Sequence, residues 1–394
     1  MLDNVWSENK YVNLCINILM FLMGINFLHY GQVILPMICL ILFIDNNFRF
    51  YVNNPKVFVI LCLFAVSFYA FSVKNFYCVM GFICPMAYYI GCNMYKPNKD
   101  KIKNVIYLLA ISMGMHVILN SIFEIIVHGR HGFFMSTTHY DFWTREKISN
   151  TSTAINADLI IGCLYYLLFH ENNSRIKALD LTVFVLSMFY LSVIGRRTPV
   201  MLMCAVMGFS FLYEIFVARS GSEKLRKGFF KIAICFVVFV LIIVLIYVLN
   251  IFNAREYMMA FQVFRKFSLG FINDQRFELY FGSFPLMPKY PWGGQYISAI
   301  LGEQVHDFWI DIYDYAGVVT WFIMIVYSLM YLKVTIQILK DKTIDGEFRI
   351  LIVGILTSVI LQMFLEPVMT GASLFLGIAI IIHGMIERIV IDEQ

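Results

Sequence analysis

The chain has 394 residues, 60% of them hydrophobic and only 14% charged, where a soluble domain carries roughly 25% charged residues. Mean hydropathy is +0.75 and the formal net charge is +4. These values exclude a soluble globular domain, and no nucleic-acid partner is expected.

The apolar residues come in uncharged runs of about 16–24, each long enough to cross a hydrocarbon core of roughly 30 Å. An all-α polytopic membrane bundle of about twelve spans is therefore predicted, as a single membrane domain over 1–394. The opening MLDNVWSENK lacks a basic segment and a small-residue cleavage site, so no cleavable signal peptide is expected. The spans are predicted near 11–28, 31–45, 57–72, 76–94, 104–127, 153–169, 178–194, 198–217, 230–252, 311–332, 350–366 and 370–386. All 9 cysteines fall inside apolar runs, which argues against a disulfide framework or clustered metal ligands. Neither cofactor nor metal is expected.

Charge predicts the orientation. With the N-terminus inside, the loops at 96–103, 175–177, 219–231 and 333–349 gather most of the lysines on one side, as the positive-inside rule requires. Both termini are then cytoplasmic. The opposite side holds fewer lysines but Arg130, Arg145, Arg196, Arg197, Arg255, Arg265 and Arg276. Topology needs only positive charge, whereas the planar guanidinium grips phosphate or carboxylate with two hydrogen bonds. The bias reads either as scatter in a small sample or as an anionic ligand at the outer face.

Two large outer loops are predicted, at 129–152 and 253–307, the second opening with an interfacial amphipathic helix over 256–271. Four segments on this side can carry chemistry. In IGRRTPVM, 194–201, Thr198 is expected to cap the following helix with Pro199 in its first turn. Arg196 and Arg197 beside that N-terminus read as a phosphate clamp or as anchors reaching for headgroups. In DQRFELYFGSFPLMPKYPWGG, 274–294, Arg276 and Glu278 either pair with each other or face a ligand. Gly293 and Gly294 are expected to let a substrate approach the backbone.

In VHDFWIDIYDYAG, 305–317, His306 is the candidate base, because imidazole takes and gives protons near neutral pH. Asp307 is the expected N-cap, with Asp311 and Asp314 following at helical spacing as an interfacial polar face or as functional groups. In LEPVMTG, 365–371, Glu366 before Pro367 reads as a turn and cap or as a functional group. No Walker loop, H-E-x-x-H or D-x-D appears, which argues against a nucleotide-sugar donor on the inner side.

These elements occur in a recognisable order: a G-x-R-T motif before a helix, an arginine in a large outer loop, a P-x-G-G break, then His-Asp entering a helix. The chain from about 100 to 386 resembles the O-antigen ligase/polymerase superfamily, in particular polysaccharide polymerases of the Wzy type. Two departures stand out. His306–Asp307 replaces the more frequent His-Asn, and Met287 stands where the loop's arginine-to-glycine repeat would place glycine.

The resemblance implies a multi-pass glycosyltransferase of the bacterial cytoplasmic (inner) membrane. It would polymerise undecaprenyl-diphosphate-linked repeat units into O-antigen or capsular polysaccharide. Its partners would be the lipid-linked donor and acceptor, membrane lipids and a chain-length regulator protein. Matched residue by residue, Arg197, Arg276 and His306 are the catalytic candidates. Arg196, Thr198, Glu278, Gly293, Gly294, Asp307 and Glu366 are the substrate-binding candidates. The alternatives are an O-antigen ligase, with the same donor but lipid A-core as acceptor, and a lipid-linked oligosaccharide flippase.

Overall fold

The structure, a computed structural model, describes residues 10–72, 76–94, 98–135, 138–218, 248–249, 259, 261–263 and 275–392. Nearly all of the predicted span at 230–252 and of the predicted interfacial helix 256–271 lies outside them. The described chain is almost entirely helical. Its first half runs α1 (Lys10–Gly24), α2 (Gly31–Asp45), α3 (Pro55–Phe71), α4 (Ile83–Asn93) and α5 (Lys99–Met135). A two-residue antiparallel hairpin, β1 (His139–Tyr140) with β2 (Lys147–Ile148), precedes α6 (Asn150–Ile155), α7 (Asp158–Phe169), α8 (Ser174–Val193) and α9 (Thr198–Tyr213). The second half runs α10 (Gln275–Ser283), α11 (Tyr296–Leu301), α12 (Phe308–Lys340), α13 (Gly346–Leu365), α14 (Val368–Gly371) and α15 (Ser373–Asp392).

Among the described residues, 7 helical segments are long and apolar enough to cross a membrane: 99–129, 150–169, 174–193, 198–218, 308–340, 346–365 and 373–391. The stretches 10–24, 31–45, 55–71 and 79–93 are apolar but shorter, at 10–17 residues. An all-α membrane protein is thus what the chain builds.

The helix ends follow local chemistry. Asn54 accepts from the Lys56 N–H with Pro55 in the first turn, and Asn173 accepts from the Arg175 and Ile176 N–H groups. Such caps satisfy donors that a helix start leaves open.

Contacts divide the chain into two compact units. The first comprises Met1–His116, Asp274–Ile344 and Val359–Gln394. In it α3 packs along α12, and α15 packs against α4. That second pair meets at Gly91 and Gly384, where a side-chain carbon on Gly384 would lie 2.9 Å from the Tyr88 carbonyl. Small residues let apolar helices approach closely enough for dispersion to hold them in lipid. The second unit comprises Val117–Asn273 and Asp345–Ser358. There α7 meets the first half of α13 at Gly162 and Gly354, and Ser358 donates to the Asp158 carbonyl at 2.7 Å.

Candidate functional site

The site lies in the first unit and is built from the start of α12. Asp307, in extended backbone, caps that helix as its position suggested. Its Oδ1 accepts from the Trp309 and Ile310 N–H groups at 2.8 and 2.9 Å. Val305 on one side and Ile310 and Tyr313 on the other are buried together with Ile297 of α11. His306 is therefore held between a buried apolar residue and a helix cap. Burial pushes the Asp307 carboxyl up to about 6, against the opposing pull of its two backbone hydrogen bonds.

Opposite stands Glu366, in the turn between α13 and α14. Its main chain makes the expected turn, with its N–H on the Gln362 carbonyl and its carbonyl accepting from Val368. Its side chain is fully buried and does more than cap. Oε2 lies 3.1 Å from His306 Nδ1, and Oε1 lies 3.2 Å from Arg276 Nη2. Arg276, in the first turn of α10, also donates from Nη1 to the Leu365 carbonyl at 3.3 Å. A carboxylate taken out of water requires such partners.

Three of the residues singled out in the sequence, from three separate segments, thus form one constellation. His306 and Arg276 keep 29% and 30% of their side chains exposed while Glu366 keeps none. This order fixes the chemistry available. With Nδ1–H donated to Glu366, the His306 lone pair sits on Nε2, which makes no hydrogen bond among the described residues. Glu366 can stabilise the imidazolium formed when Nε2 takes a proton.

Other expectations are corrected. Arg276 pairs with Glu366 rather than with Glu278, which is exposed on the same helix. Gly293 admits backbone and Gly294 an aromatic ring, but both are the protein's own. A side-chain carbon on Gly293 would lie 2.7 Å from both Gly317 N and Tyr315 O, and one on Gly294 would strike the Tyr296 ring at 2.8 Å. Asp311 and Asp314 form no exposed polar face. Both are buried; Asp311 accepts from Gln304, and Asp314 caps α11 through the Ile297 N–H at 2.8 Å and the Ser298 N–H and hydroxyl.

Arg196, Arg197 and Thr198 belong to the second unit. After Gly195 at φ +75°, Arg197 occupies the N-cap position in helical backbone and Thr198 is the first residue of α9. Thr198 is therefore not the cap, and no side-chain cap bond is made there. Arg196 and Thr198 are buried, and Arg197 is half-buried. The Asn150 amide donates to the Ile194 carbonyl at 3.3 Å, so the loop at 129–152 and the arginine turn meet within this unit.

Two buried clusters went unread in the sequence. Glu124 accepts from the Tyr140 N–H at 2.6 Å, with His128 at 3.3 Å and His139 at 3.7 Å, and so ties the hairpin to α5. Glu214 accepts from Tyr165 at 2.6 Å and lies 3.2 Å from His170 Nε2. The available signal was a lone acid in an apolar helix, which must find a partner. Comparison with protein-family models and with curated proteins finds no match.

Proposed function

We propose that the protein polymerises undecaprenyl-diphosphate-linked oligosaccharide repeat units into O-antigen or capsular polysaccharide at the outer face of the cytoplasmic membrane. One observation carries the reading: a histidine with an open Nε2, oriented by a buried glutamate whose other oxygen holds an arginine. Glycan transfer from a lipid diphosphate needs a base for the acceptor hydroxyl and positive charge for the leaving group.

In this reading His306 Nε2 takes the acceptor proton as the hydroxyl oxygen bonds to the anomeric carbon. The bond from that carbon to the diphosphate oxygen breaks with its electron pair on the diphosphate, inverting the anomeric centre. Glu366 stabilises the resulting imidazolium. The exposed part of Arg276 faces the departing charge.

The test is depletion of the protein followed by gel analysis of the surface glycan. Single-repeat glycan supports the polymerase. Long polymer retained on the lipid carrier indicates a ligase instead, and absence of outward-facing repeats indicates a flippase. His306→Ala should reproduce the single-repeat pattern at normal protein level, and normal-length chains would refute the base assignment.

A further inference from the structure

The C-terminal half of α12 and the end of α15 enclose an open groove of about 610 Å³ in the first unit. Much of its lining is apolar. Leu329 is 60% and Ile336 41% exposed, and Val390 of α15 faces them across the groove. The same face of α12 carries Lys333 and Lys340, both exposed. Seven residues apart, they lie on one helix face about 10 Å apart along the axis.

Neither ammonium is paired among the described residues. Asp341, the acid among the described residues lining the groove, accepts from the Thr343 N–H at 2.9 Å and hydroxyl at 2.6 Å. Apolar side chains and two lysines unpaired among the described residues thus share one face of α12, with Leu329 and Leu332 before Lys333 and Ile336 between Lys333 and Lys340.

From this juxtaposition we infer that the groove between α12 and α15 is a binding site for an anionic phospholipid. The acyl chain lies along Leu329 and Leu332, and the headgroup phosphate sits at the lysine end of the groove, within reach of Lys333 and Lys340. Lysine suits this task because its ammonium is a compact charge that meets a phosphate oxygen from several directions. A zwitterionic lipid offers the same chains but cancels the charge the lysines select. The inference is independent of the proposed activity.

The test is native mass spectrometry of the full chain in neutral detergent, titrated with phosphatidylglycerol or with phosphatidylcholine of the same chains. Phosphatidylglycerol should be retained preferentially. Each lysine near an anionic lipid surface is worth roughly fivefold, so Lys333→Gln with Lys340→Gln should weaken retention by about 25-fold. Lys342→Gln removes an exposed lysine of the same loop that does not line the groove, and should leave retention unchanged. Equal retention of the two lipids, or an equal loss in the Lys342 variant, would overturn the site in favour of diffuse attraction. Displacement by millimolar inorganic phosphate alone would overturn the lipid assignment in favour of a free anion. All the substituted lysines are exposed, so the fold is expected to survive, and an unchanged elution profile checks this.

Discussion

Glu366 has two partners of different kinds, and its substitutions separate their roles. Glu366→Gln keeps a hydrogen-bonding group beside His306 and Arg276 but removes the charge that favours an imidazolium. Chain-extension rate should fall by about 10²-fold or more with protein level retained, and an unaltered rate would count against the assignment. Arg276→Lys keeps the positive charge but cannot span Glu366 and the Leu365 carbonyl together. Extension should fall again, read as repeat number on a glycan gel. Asp307 gives a pH prediction. Its folded carboxyl, at about 6, binds a proton more tightly than the ordinary value of 3.8. Its contribution to stability is therefore full below that ordinary value and is lost as pH rises through about 6. Asp307→Asn keeps the capping acceptor and should flatten thermal stability across this window, measured by melting of the detergent-purified protein.

At the scale of elements, the break in α12 explains why the 290s loop has its sequence. Gly317, at φ +76°, interrupts the helix and frees the Asp314 carbonyl from the Val318 N–H. The loop takes up both halves: Gln295 N–H donates to the Asp314 carbonyl at 2.8 Å, and Val318 N–H donates to the Pro291 carbonyl at 2.8 Å. This needs two backbones in contact, which Gly293 and Gly317 permit. The Asp314 side chain then caps α11, the helix leading to His306. Gly293→Ala should destabilise by about 2–5 kcal/mol, combining the left-handed backbone cost with a clash no side-chain shift relieves. Loss of folded protein on mild heating in detergent would report it. The pattern Pro-x-Gly-Gly was legible as a loop, yet its contact was not. A glycine pair permits close approach equally to substrate and to chain, and sequence does not say which arrives.

For the whole molecule, charge distribution yields one prediction about topology. Tyr140→Cys or Tyr290→Cys should react with a membrane-impermeant maleimide added to intact cells, and protection of both would reverse the orientation. The membrane class was legible because burial in lipid needs long uncharged runs, and these are written locally, as at 350–365 and 373–386. Caps were legible for the same reason: Asp307 needs only its own helix. Thr198 was misplaced by one residue, since Gly195 and Arg197 carry the turn there. His306 and Arg276 stood out in the sequence as ionisable groups in loops of an apolar chain. Their joint partner Glu366, 60 residues beyond His306, could be given a turn but not a neighbour. Chain-local chemistry, then, determined the helices, the caps and the candidate groups. Tertiary packing alone decided which buried carboxylate orients the histidine, because pairing in a low-dielectric interior depends on a few ångströms of approach between segments that sequence leaves far apart.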